Sequence, residues 1–162
     1  RLRVLGSLGV GLRMHGALDA AKHAFETVIR KSKNWSVRQN SIVESLALYT
    51  QMGDELAFRR YKQEADAGAH QMPPSMEVDY RVKVGQGLLR FDRRAAGIAW
   101  LEQARDRAEQ ASLNEWYFKI VEMLQGLENG TTPSDAGKLQ RSESIKPEVA
   151  EVADRLLNYV GA

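Results

Sequence analysis

The sequence predicts an all-α fold built from repeated helix pairs, and three observations carry that prediction. Apolar residues recur at i, i+3, i+4 and i+7 through most of the first 128 positions, the period of a helix with one buried face. Strand-like alternation is missing, and β-branched residues are scattered rather than clustered. A small residue with a bulky one four positions later also recurs, at Ala21/Phe25/Val28, Ala57/Tyr61/Ala65 and Gly97/Leu101/Ala104, with starts 36 and then 40 residues apart. Self-similarity on this scale is the mark of a stacked helical array.

Each of these three stretches is preceded by another helical one. Leu5, Leu8, Gly9 and Leu12 come before the first, Ile42, Leu46 and Tyr49 before the second, and Val82, Val84, Gly85 and Leu88 before the third. Turn signals divide the pairs at Gly16, at Gly53-Asp54 and, less sharply, at Phe91-Asp92. Ser36-Val37-Arg38-Gln39 and Ser112-Leu113-Asn114-Glu115 fit the capping box, in which Ser accepts from a first-turn backbone N–H and Gln or Glu reaches back. Trp35, just before Ser36, fits a hydrophobic staple, and Pro73-Pro74-Ser75 breaks the chain before the third pair. The helices expected are 2–15, 18–32, 36–51, 54–68, 75–90, 93–111 and 113–128, within about 2–4 residues at each end.

Beyond residue 128 the composition changes. NGTTPSDAGKLQRSESI, residues 129–145, is rich in Gly, Ser and Thr and reads as a flexible linker. A last amphipathic helix follows within 146–162, with Pro147 in its first turn, Gly161 past its end, and Val149, Val152, Ala153, Leu156, Leu157 and Val160 on one face. So short a helix is marginal alone in water, so its apolar face must rest on the array or on a neighbouring molecule. The expected organisation is a repeat domain over 1–128, the linker, and this C-terminal helix.

Composition narrows the function. The 162 residues are 43% hydrophobic and 27% charged, and 23 Lys plus Arg against 21 Asp plus Glu leave a net charge of +2. Proteins built to neutralise phosphate backbones usually carry a larger basic excess, so nucleic-acid binding is disfavoured. With no cysteine, disulfides, thiolate-ligated metals and a thiol nucleophile are excluded. No apolar run reaches the roughly 18–20 residues of a membrane span, and the expected compartment is the cytoplasm. The chain opens on Arg1 rather than Met, which predicts a processed or trimmed start.

The chain resembles the tetratricopeptide repeat family, whose pattern is W-x2-L-G-x2-Y, then Gly, then A-x3-F-x2-A. In the first repeat Leu5, Leu8, Gly9 and Leu12 take the first-helix positions, Gly16 the turn, and Ala21, Phe25 and Val28 the second helix. The second repeat is looser: Leu46 stands for Gly, Tyr49 and Gly53 match, and Ala57 arrives one residue early. The third has Gly85 and Leu88, followed either by Gly97, Leu101 and Ala104 or, one residue earlier, by Ala96 and Trp100. Residues 113–128 look like the helix that closes such arrays. The resemblance covers 1–128 and implies a right-handed superhelix of antiparallel helix pairs, about three repeats plus a capping helix. Its implied use is as a scaffold or adaptor that holds a peptide or helix of a partner protein in the concave groove.

Carried over by position, the groove residues are Arg13 on the first helix, Asn40, Val43 and Gln51 on the third, Val82, Gln86 and Arg90 on the fifth, and Phe118 and Glu122 on the last. Amides suit an extended peptide backbone, and arginines suit carboxylates. The Lys and Asn with which some family members grip a chaperone C-terminus are replaced here by Gly6 and Val10, so that ligand is not expected. An alternative is self-association, with residues 147–160 docking on a neighbour or in their own groove. His15, His23 and His70 have no metal-site spacing, and Arg59-Arg60 and Arg93-Arg94 read first as solvated helix faces. No phosphate loop or nucleophile elbow occurs: Gly85-Gln86-Gly87 falls inside a helix with no strand before it. Neither a catalytic constellation nor a cofactor is predicted.

Overall fold

The computed structural model describes residues 1–130 and 147–160, the last helix by backbone alone at 157, 159 and 160. Among the described residues the fold is all α. Its helices are α1 (Leu2–Met14), α2 (Leu18–Lys31), α3 (Trp35–Met52), α4 (Glu55–Gly68), α5 (Pro74–Arg90), α6 (Arg94–Gln110), α7 (Asn114–Glu128) and α8 (Pro147–Val160), with a 3₁₀ turn at Ala69–Gln71 after α4. Each helix expected from the periodicity is present within a residue or two. Apart from its first two residues, the expected linker 129–145 lies outside the described residues.

Four of the turns are one device. In each, a backbone N–H donates back across the turn: Ala17 to Leu12, Asp54 to Tyr49, Arg93 to Leu88 and Leu113 to Ala108. The residue just ahead of each donor has positive φ: Gly16 (80°), Gly53 (74°), Asp92 (59°) and Ser112 (55°). This six-to-one closure through a left-handed residue satisfies the last carbonyls of one helix while reversing the chain. Ser112 therefore ends α6 instead of capping α7, which corrects the second capping box. The first is corrected too. Asn34 is the cap of α3, its side-chain oxygen accepting from Val37 N–H at 3.0 Å. Trp35 is then the first residue of α3, not a staple ahead of it, and it packs half-buried against the α3–α5 core.

Consecutive helices from α1 to α7 touch, and the odd helices α1, α3 and α5 also touch one another. Small residues set the closest approaches. A Cβ on Gly9 would lie 2.7 Å from the Phe25 ring, and Ala21 is fully buried. Gly85 faces Leu101 and Gly97 faces Leu89, so α5 and α6 run in opposite directions with their backbones nearly in contact. On α6, Gly97, Leu101 and Ala104 are buried, whereas Ala96 is exposed and Trp100 stands edge-on to Tyr80.

The core is a row of three clusters. Leu12, Ala24, Phe25 and Leu48 fill the first, Leu46, Tyr49, Phe58 and Tyr61 the second, and Val82, Leu101, Ala104 and Ile120 the third. Helix α8 joins the first cluster through Leu156, Val149 and Ala153 and rests on α2 of its own chain. No described helix is long and apolar enough to cross a membrane.

Candidate functional site

The odd-numbered helices carry a line of polar side chains from one helix to the next. The guanidinium of Arg13 on α1 lies 3.7 Å from Glu44 on α3. Lys83 on α5 donates to Glu44 at 2.8 Å and to Asp79, one turn back on its own helix. The Gln86 amide then reaches the Met123 sulfur on α7 at 3.8 Å. Polar contacts therefore join α1 to α3, α3 to α5 and, at a separate point, α5 to α7.

Helical periodicity extends the polar face along each helix. On α3, Asn40, Glu44, Ala47 and Gln51 are spaced i, i+4, i+7 and i+11. On α5, Asp79, Lys83, Gln86 and Arg90 repeat that spacing. Both sets form single stripes at about 100° per residue. Asn40, Gln51 and Arg90 are exposed at the ends of their stripes, and Arg13 and Gln86 are half-buried nearer the middle. Five of the nine expected groove residues thus share one face.

The remaining four divide. Val43 is 0% and Val82 3% exposed, each in a core cluster. Each sits next to a stripe residue and so about 100° around the helix from it, facing inward, and neither reaches a ligand. This corrects both. Glu122 is exposed about 100° around α7 from Met123, at the edge of the face. Phe118 is 66% exposed but about 140° away, outside the stripe that meets α5. Its ring stands edge-on to Tyr117 instead.

Sequence reasoning missed Glu44 and Lys83. Their side chains are only 11% and 10% exposed. Glu44 Oε2 and Arg13 Nε are buried without a hydrogen-bond partner among the described residues, although the two groups lie within ion-pair distance. Burial pushes the Asp79 carboxyl above its ordinary value, a shift opposed by the Lys83 ammonium. On the other flank of α5, Glu77 accepts from Arg107 at 2.7 Å and from Arg81 at 2.9 Å. Burial alone would raise the Glu77 carboxyl, but these two guanidinium groups hold it below its ordinary value.

His15 and His70 are exposed, and His23 is half-buried on α2. No group of three or more His, Asp or Glu able to hold a metal occurs among the described residues. No family model matches the chain, and no curated protein or solved structure is significantly similar to it.

Proposed function

We propose that the chain is a right-handed, tetratricopeptide-like array of three antiparallel helix pairs closed by α7. In this reading it is a non-enzymatic interaction module whose odd-helix face receives a peptide or helix of a partner protein. The observation that carries this reading is the set of polar contacts between odd helices, Arg13 with Glu44, Glu44 with Lys83, and Gln86 with Met123. It supports a side-by-side row of odd helices with exposed donors and acceptors at Asn40, Gln51 and Arg90 along its margins. Buried groups with unused hydrogen-bonding capacity, Arg13 Nε and Glu44 Oε2, favour a polar ligand on this face, because such groups are costly when left unpaired.

Self-association through 147–160 is the weaker reading, since Val149, Ala153 and Leu156 of α8 already pack on the first cluster of their own chain. A scaffold or adaptor role follows from the peptide reading. A random-peptide display library selected on the full chain tests it. The expected result is enriched peptides that lose binding to an Asn40→Ala/Gln86→Ala/Arg90→Ala variant of unchanged thermal stability, and keep it in an Arg105→Ala control. Failure to enrich any sequence, or equal binding to the triple variant, removes the assignment.

A further inference from the structure

A second candidate site lies away from the odd-helix face, where α2, α3 and α4 meet around an open cleft of about 590 Å³. Three helices each send one arginine to it: Arg30 from α2, Arg38 from α3 and Arg60 from α4. Arg38 is paired with Glu64 at 2.8 Å, a carboxylate outside the lining. Among the described residues neither Arg30 nor Arg60 forms an ion pair, and Glu26 is the one carboxylate in the lining. The Arg60 guanidinium is held 5.0 Å above the Tyr61 ring. That ring is itself fixed, 5% exposed and stacked on Tyr49 at 5.1 Å. Ile29, half-buried, is the accessible apolar residue of the lining.

This lining has a definite chemical preference. Glu64 already neutralises Arg38, so Arg30 and Arg60, from different helices, are the two guanidinium groups left to meet an anion, with Glu26 beside them. A phosphate monoester carries about −1.5 to −2 at neutral pH, and its oxygens fit the planar fork of arginine. A carboxylate offers a single two-oxygen edge, enough for one such fork, whereas a phosphate monoester has three oxygens to share between two. We propose that this cleft binds a small organic phosphate monoester, with the phosphate on Arg30 and Arg60 and the organic part against Ile29.

Calorimetric titration of the full chain with phenyl phosphate tests this, beside inorganic phosphate, benzoate and a short single-stranded RNA. Phenyl phosphate is expected to saturate one site, more tightly than inorganic phosphate or benzoate. Arg30→Gln and Arg60→Gln are each expected to weaken it about tenfold, the loss of a charge-assisted hydrogen bond. Arg60→Lys should recover part of that loss, and Arg105→Gln should change nothing. Both cleft arginines are exposed, so unchanged far-UV circular dichroism is expected in their variants. Absence of saturation, full affinity in Arg30→Gln and Arg60→Gln, or benzoate binding as tightly as phenyl phosphate would each overturn the proposal. Steeply salt-dependent RNA binding lost in the same variants, without phenyl phosphate binding, would reassign the cleft to nucleic acid.

Discussion

Lys83 on α5 donates to Glu44 on α3 at 2.8 Å although neither side chain is more than 11% exposed. The ammonium also holds Asp79, so one buried cation serves two carboxylates and Arg13 balances the second. Removing one member of such a set leaves an uncompensated buried charge, whereas replacing a pair by apolar groups of similar shape is often neutral. Lys83→Met is therefore expected to cost about 3 kcal/mol, and Glu44→Leu/Lys83→Met to recover part of it, since Asp79 and Arg13 still lack their partners. Urea unfolding of both single variants and the double variant measures the coupling. Additive losses would mean that the pair does not hold α3 to α5.

Two glycines on helix interiors should respond in opposite directions to the same change. A Cβ added at Gly11 on α1 would meet no atom within 4 Å, whereas one added at Gly87 on α5 would run into the Phe58 ring and lie 2.9 Å from the Thr50 hydroxyl. Gly11→Ala is expected to stabilise by about 0.5–1 kcal/mol through helix propensity and lost unfolded-state freedom. Gly87→Ala is expected to destabilise by about 1–3 kcal/mol, because Phe58 is 1% exposed and has nowhere to move. Thermal melts of the two variants decide the contrast. A stabilised Gly87→Ala would mean that α5 is not pressed against α4 at this point.

The turns show how far the sequence can be read. Gly16 and Gly53 announce themselves, but Asp92 and Ser112 adopt the same left-handed geometry without the residue that favours it, and Ser112 imitates a helix cap. Local pattern cannot separate these roles, because the six-to-one closure is made by the backbone of Leu113 and Ala108. The odd-helix face shows the same limit. Asn40, Gln51, Gln86 and Arg90 lie on the polar stripes of α3 and α5, yet the positional reading that named them also named Val43 and Val82, which are buried. The signal that could have prevented this is the lone Glu in the otherwise uncharged stretch from Asn40 to Tyr49, together with Lys83 one turn after Asp79. Those charges mark the stripe, and the valines beside them must then point into the core. How α8 packs is not legible at all, since an amphipathic helix does not name what it covers.

Relieving the strained turn should stabilise the chain. A serine at φ 55° costs roughly 1 kcal/mol relative to glycine, and asparagine or aspartate somewhat less. Ser112→Gly is expected to raise Tm by about 2–4 °C for a domain of this size. Asp92→Gly should give less, and Gly53→Ala should lower Tm by a similar amount. Differential scanning calorimetry gives all three, and no change in Ser112→Gly would mean that the side chain is not strained there.

Glu77 and Asp79 should act on acid stability with opposite signs. The Glu77 carboxyl is depressed below 4.5, so its contribution is complete above that value and is lost as pH falls through the lower folded value. The Asp79 carboxyl is raised above 3.8, so its contribution is complete below that value and is lost as pH rises through the higher folded value. Between about pH 5 and 3 the urea midpoint of the wild type is therefore expected to fall, with Glu77 driving the fall and Asp79 partly offsetting it. Glu77→Gln should flatten the fall, and Asp79→Asn should steepen it. Parallel curves for all three proteins would remove both assignments.

The docking of α8 predicts a local, not a global, effect. Leu156 is 8% exposed and, with Val149 and Ala153, closes over the cluster that contains Leu12 and Ala20. Burying a leucine side chain contributes about 1.5–3 kcal/mol, comparable to the whole docking energy of a helix held by so few contacts. Leu156→Asp should therefore release α8 while α4 to α7, which add no residue to that cluster, keep their packing. Hydrogen exchange is expected to speed up in 147–160 and at the covered turns of α1 and α2, with protection in α5 and α6 unchanged. Light scattering adds the decisive reading on self-association. If α8 serves its own chain, wild type and Leu156→Asp have the same mass, that of one chain. A wild-type dimer that Leu156→Asp converts to a monomer would show instead that the same apolar face reaches α2 of a second copy.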